Sequence, residues 1–82
     1  MFNVYVLKSL KNGKRYVGYT SRTVQERLLE HNSGKATFTR QNSPFMLMYT
    51  EEYQTKTEAM KREIFLKSGQ GRKFLDSIII RP

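Results

Sequence analysis

Two short runs of strand-forming residues, FNVYVLK (2–8) and RYVGYT (15–20), flank the dipeptide Asn12-Gly13. β-Branched and aromatic residues suit a pleated strand. Asn-Gly is the strongest short hairpin signal, because both residues tolerate the positive φ of a two-residue turn. The chain therefore begins with an antiparallel hairpin, and the remaining segments must pack against it. Gly18 inside the second run gives up packing, which points to a close approach by a backbone, a side chain or a ligand.

The next segment reads as a helix. Thr23-Val24-Gln25-Glu26 has capping-box spacing, with Thr23 as N-cap and Glu26 reaching back. The helix is expected from about Val24 to Ser33, with Gly34 as its stop. Residues 35–44 are polar, end in Pro44 and read as a loop, and 45–53 (FMLMYTEEY) reads as a third strand. Thr55 and Glu58 repeat the capping-box spacing and open a helix to about Lys67 or Ser68, stopped by Gly69. Arg72 to Ile80 is either a last short helix or an extended tail, since Ile78-Ile79-Ile80 favours β structure. The order β-β-α-β-α makes an α+β fold, a small sheet flanked by helices.

A chain of 82 residues fits one compact domain, residues 1–82. It has no cysteine, so disulfides and Cys-ligated zinc are excluded. No apolar run approaches the roughly 18–20 residues of a membrane span. The N-terminus lacks the basic-then-apolar pattern of a signal peptide. A soluble cytoplasmic protein is expected. The formal net charge is +8, from 15 Lys and Arg against 7 Asp and Glu. Such an excess favours a polyanionic partner, of which nucleic acid is the commonest, beside the plainer reading of a merely basic protein. The basic residues are spread along the chain, which argues against a disordered tail.

Polar residues stand where apolar ones are expected. In the first helix Val24 and Leu28 mark the buried stripe, and Arg27 and His31 fall beside them, one turn apart on one face. The ordinary reading is an edge arginine that snorkels and a half-buried, hydrogen-bonded histidine. In the second helix Ala59, Met60, Ile64 and Leu66 are expected to mark the buried arc, with Glu63 projecting between them. A carboxylate there is costly unless paired or metal-bound; its ordinary partner is Arg27 or a lysine. If the hairpin tyrosines, the Arg/His pair and Glu63 converge, they supply the parts for metal-assisted phosphodiester hydrolysis. With one carboxylate, a single Mg²⁺ or Mn²⁺ that retains several waters is the sensible cofactor.

Val4-Tyr5-Val6 and Tyr16-Val17-Gly18 resemble the two half-motifs of the GIY-YIG nuclease superfamily. The likeness continues through Gly18-Tyr19-Thr20, Arg27, His31, Asn32-Ser33-Gly34 and Glu63, and covers nearly the whole chain. The sequence is most similar to small stand-alone bacterial members, which share features such as LKSGQGRKFL (66–75). One tripeptide is a weak signal; the ordered set Tyr-x10-Tyr-x-Gly-x8-Arg-x3-His followed by a helical Glu is a strong one. Asn3 departs from the family's Gly.

The resemblance implies a three-stranded antiparallel sheet flanked by helices, and divalent-metal nuclease activity on DNA. It assigns Glu63 to the metal and Arg27 to the scissile phosphate, where charge builds up. It assigns Tyr5 and Tyr16 to the attacking water, as positioners or as base, and leaves open which is the base. His31 is assigned to a phosphate contact, to orienting a tyrosine or to proton relay. Gly18 would keep the strand surface open to a phosphate, and Tyr19 is packing or a backbone contact.

Lys14, Arg15, Lys35, Arg40, Lys67, Arg72 and Lys73 are candidates for phosphate contacts around the site. The ordinary reading of each is a solvated surface charge. Two other classes compete with the enzyme: a non-catalytic nucleic-acid-binding module of the same fold, and a basic RNA-binding sheet that stacks bases on exposed aromatics. Targeting is left to nucleic-acid shape, a homodimer or a protein partner.

Overall fold

The structure, a computed structural model, describes residues 1–33 and 42–78. Strands β1 (Phe2–Ser9), β2 (Arg15–Thr20) and β3 (Phe45–Tyr53) form one antiparallel sheet in the order β2-β1-β3. Among the described residues three helices accompany it: α1 (Val24–Asn32), α2 (Lys56–Lys67) and α3 (Gly69–Ile78). This is the α+β architecture expected from the sequence, with α3 a helix where helix and extended tail had both stood open. Gly34 and most of the expected 35–44 loop lie outside the described residues.

Strand β1 runs down the middle of the sheet, and Val4, Tyr5, Val6 and Leu7 are all buried. A continuous apolar run of this kind requires cover on both faces. Val4, Val6 and Val17 pack with Ala59, Leu66 and Leu75 under α2 and α3. Tyr5 and Leu7 pack on the other face with Val24 and Phe45, joined by Tyr16, Leu28 and Leu47. With both faces covered, the described residues offer no open aromatic platform for base stacking. Tyr19 is packed against the α2–α3 cluster, in keeping with a packing role.

The hairpin turn differs from the expected two-residue Asn-Gly turn. Pairing closes with the Ser9 N–H donating to the Lys14 carbonyl, and the Gly13 N–H donates to the Ser9 carbonyl, both at 2.9 Å. Only Gly13 takes a positive φ, 77°. Side chains impose the longer loop. Ser9 Oγ accepts from the N–H groups of Lys11 (3.1 Å) and Asn12 (3.2 Å), and Asn12 Oδ1 accepts from the Lys14 N–H (3.0 Å). Such local bonds compete directly with the tighter turn.

Both capping boxes are present, at Thr23/Glu26 and Thr55/Glu58. The phase of α2 departs from expectation. Its inward residues are Ala59, Arg62, Glu63 and Leu66, whereas Met60 and Ile64 are 40% and 65% exposed. Ala59, fully buried, lets the helix approach the sheet closely. The inward pair of charges is accommodated by partners, Glu51 on β3 for Arg62 and Lys67 one turn on for Glu63. Nor is Gly69 the stop of α2. Ser68 ends it in an extended conformation, and its Oγ accepts from the Gly71 N–H at 3.1 Å to start α3. Gly71 is the point of closest approach between the two helices: a Cβ there would lie 2.0 Å from the Phe65 carbonyl oxygen.

Candidate active site

Tyr5 pairs with Gly18 across β1 and β2, so the two share a face. The Tyr5 ring extends over Gly18, and a Cβ on Gly18 would lie 2.6 Å from the phenol oxygen. Gly18 was expected to open the strand to a phosphate; the space beside it is taken by Tyr5. The central-strand tyrosine thereby carries its hydroxyl over the edge strand β2.

Helix α1 delivers two side chains to that hydroxyl. The Arg27 Nε–H donates to the Tyr5 oxygen at 3.2 Å, and His31 Nε2 stands 3.2 Å from the same atom. The i,i+4 spacing of Arg27 and His31 aims both at one target. His31 is fully buried. Burial, aided by the Arg27 charge, holds its imidazole below the usual histidine range, so it is neutral near pH 7. A neutral imidazole carries one proton, on Nδ1 or on Nε2; in the Nδ1–H tautomer Nε2 can accept the Tyr5 hydroxyl proton. Arg27 and His31 thus meet at one phenol oxygen. Burial pushes the Tyr5 phenol up, against the Arg27 hydrogen bond and charge, with Tyr16 and Glu63 pushing further in the same direction. Tyr5 is therefore a neutral phenol at rest.

Tyr16 flanks this cluster. Its ring centroid is 4.9 Å from His31, edge-on, and 6.5 Å from both Tyr5 and Phe45. It is only partly buried, unlike Tyr5. Arg27 is braced from behind by Glu30 Oε1 at 2.7 Å, and the second Glu30 oxygen takes Arg22. These two arginines hold the Glu30 carboxyl below the usual carboxylate range. The sequence reading passed over Glu30, although its i+3 spacing from Arg27 was a usable signal.

Glu63 approaches from the opposite face. Helix α2 packs along β2, the strand that the Tyr5 phenol overhangs, which is why the Glu63 charge is felt at Tyr5. Its Oε2 pairs with Lys67 Nζ at 3.4 Å, so of the two ordinary partners foreseen the lysine is the one present. Among the described residues no group of three or more His, Cys, Asp or Glu stands together. Glu63 would be the sole protein carboxylate for a divalent ion, which would keep most of its waters and would have to displace Lys67 from the carboxylate.

The basic candidates separate. Lys14, Arg15, Lys67 and Arg72 line one groove between β2 and the α2–α3 pair, with Tyr16 at its side. Lys73 is exposed on α3 and does not line it. Lys35 and Arg40 lie outside the described residues.

Two arrangements went unseen in the sequence. Arg62 forms a forked pair with Glu51, Nε–Oε1 at 2.9 Å and Nη2–Oε2 at 3.0 Å, and lies 4.8 Å from both the Phe65 and Phe74 ring centroids. Tyr49 and Tyr53 donate to the same carboxylate. At the end of α1 the Asn32 amide donates to the Phe45 carbonyl at 3.1 Å and accepts the Phe45 N–H at 2.6 Å, fastening α1 to the start of β3.

The three-stranded sheet, with a phenol hydrogen-bonded to a guanidinium and set beside an imidazole over its edge strand, makes this a small α+β domain. The chain belongs to the GIY-YIG family: the family model for the GIY-YIG catalytic domain matches residues 1–74. It is 44% identical over 68 residues to a UPF0213 protein of Halobacterium salinarum, covering 82% of this chain and 86% of that one. A UPF0213 protein of Staphylococcus saprophyticus is 37% identical over 76 residues, 92% of this chain and 90% of the relative. The solution NMR structure of a UPF0213 protein from Bacillus halodurans aligns with a TM-score of 0.55 at 39% identity, over 95% of this chain and 85% of that chain. No helix among the described residues is long and apolar enough to cross a membrane.

Proposed function

We propose that this protein is a divalent-metal-dependent endonuclease that hydrolyses DNA phosphodiester bonds and selects its substrate by DNA structure, in repair or recombination. The observation that carries the reading is the meeting of Arg27 and neutral His31 at the Tyr5 hydroxyl, with Arg27 donating to it and His31 Nε2 within hydrogen-bond reach.

Each part has a task. Arg27 has further N–H groups beyond those given to Tyr5 and Glu30, and they receive a phosphate oxygen as the phosphorus becomes five-coordinate. Tyr5 and Tyr16 hold the attacking water between them. As its oxygen bonds to phosphorus, the water gives a proton to Tyr5, and Tyr5 passes its own to His31 Nε2. The base is then the phenol–imidazole pair, which needs no resting phenolate. Tyr5 is assigned the relay because a ring nitrogen stands 3.2 Å from its oxygen. His31 orients Tyr5 and takes up its proton. The P–O bond to the departing nucleotide breaks, and that oxygen takes a proton from solvent. Glu63 would hold Mg²⁺ or Mn²⁺, which when bound supplies Lewis-acid stabilisation of the phosphate and its leaving oxygen. With a metal on Glu63, Lys67 would be free to contact the phosphate.

The test is cleavage of labelled plasmid, flap, branched and single-stranded DNA with Mg²⁺ or Mn²⁺, with EDTA, and with Glu63→Ala. Metal-dependent cutting that disappears in the variant while DNA binding persists supports the proposal. Salt-sensitive binding without cutting on every substrate would leave the non-catalytic binding module instead.

A further inference from the structure

The groove beside the site has a form of its own. It encloses about 660 Å³, within the range of pockets that take a single mid-sized ligand. Its rim is cationic, with Lys14 and Arg15 on the hairpin side and Lys67 and Arg72 on the helical side. Its floor is apolar, made by Val17, Leu66 and Leu75, each nearly sealed from solvent. A charged rim over an apolar floor suits a ligand that is anionic along one edge and apolar along the other. A nucleotide chain has that character, with phosphates outside and sugars and bases beneath; a free phosphate or an acidic peptide does not.

The groove joins the reacting centre at two points. Tyr16 lines it and touches His31, and Lys67 lines it and pairs with Glu63. An anion already sits at its rim: the Asp76 carboxylate reaches Arg15 Nη2 at 2.6 Å from the facing helix α3. The pair is substantially exposed, and exposed pairs are weak enough for a backbone phosphate to displace. The volume matches a nucleotide or two of one strand, and the apolar floor offers contact to sugars and bases that a duplex keeps stacked inside.

We propose that this groove seats an unpaired stretch of the strand being cut, immediately beside the scissile phosphate, so that the preferred substrate carries single-stranded character next to the cut. The inference rests on the nuclease reading and deepens it.

Binding is measured without cutting, by fluorescence anisotropy of a labelled single-stranded oligonucleotide against the Glu63→Ala protein in EDTA. Lys14→Gln and Arg72→Gln are each compared with Lys56→Gln and Lys61→Gln, which remove the same charge outside the groove. The groove variants should weaken binding about fivefold and reduce the slope of log affinity against log salt by about 0.7, with the two outside variants changing affinity less than about twofold. Polyphosphate, which lacks sugar and base, should compete poorly at equal charge. Equal losses at all four lysine and arginine positions, or equal competition by polyphosphate, would overturn the proposal and leave a diffuse anion surface. Because these measurements need no catalysis, failure of the groove and failure of the nuclease reading separate. A wild type that cuts DNA with groove variants that bind normally removes only the groove; a selective groove on a protein that cuts nothing removes only the nuclease.

Discussion

The hydroxyl of Tyr5 occupies the volume that a side chain on Gly18 would need, 2.6 Å from the absent Cβ. Gly18→Ala must therefore move a buried phenol away from both Arg27 and His31. Overpacking of this sort costs about 1–3 kcal/mol. We expect a matching loss of stability in urea unfolding, and cleavage reduced beyond what the folded fraction explains. Adding Tyr5→Phe relieves the nearest contact and should return part of the stability but none of the activity.

His31 gives the protein a pH-dependent margin. Burial beside Arg27 lowers its pKa in the folded state, so the unfolded chain binds more protons at this position. Its contribution to stability is complete above the ordinary value of about 6.5 and is lost as pH falls through the lowered folded value. The same neutral form accepts the Tyr5 proton, so the acid limb of the cleavage profile should lie below about pH 6.5. His31→Gln should flatten the stability curve between about pH 7 and 5. A profile whose acid limb is unmoved in the variant would place the titrating group elsewhere.

Tyr5→Phe should lower the cleavage rate by about a hundredfold or more, the usual scale for losing a proton-transfer group. Tyr16→Phe keeps the ring contact with His31 and should cost less. The reverse ranking in single-turnover rates would make Tyr16 the relay.

The sequence disclosed some of this arrangement and hid the rest, for local reasons. Strand composition, the two capping boxes and the spacing of Arg27 and His31 are short-range signals, so both sheet strands of the hairpin and the pairing of α1 with Tyr5 were legible. The phase of α2 was not. Ala59, Glu63 and Leu66 face inward as expected, but the place periodicity gives to Met60 and Ile64 belongs to Arg62, whose partner Glu51 makes it tolerable there. Glu51 lies on β3, and no pattern within the helix could reveal it. The turn differs for a similar reason: Ser9, just ahead of the loop, outweighs the Asn-Gly dipeptide by accepting from the N–H groups of Lys11 and Asn12.

The Glu51–Arg62 fork joins β3 to α2 and so sets the rotation that presents Glu63. Arg62→Ala leaves a partly buried carboxylate with only the two tyrosines, and we expect about 2–4 kcal/mol of destabilisation by denaturant. Burial and the Glu51 hydrogen bond push the Tyr53 phenol up to about 12. Glu51→Gln should bring it down, visible in an ultraviolet titration of the tyrosines.

Gly71→Ala would drive a methyl into the Phe65 carbonyl, 2.0 Å away, at a contact made of backbone on one side. Helices α2 and α3 must then separate, and the loss should exceed the ~1–3 kcal/mol of ordinary overpacking. Circular dichroism on heating would register it. A variant that melts like the wild type would mean the two helices tolerate a wider spacing.

The two hydrogen bonds between the Asn32 amide and the Phe45 backbone tie the end of α1 to the start of β3. One amide therefore works as a clasp: it anchors the helix that carries Arg27 and His31 to the strand next to β1, and so keeps both side chains indexed to Tyr5.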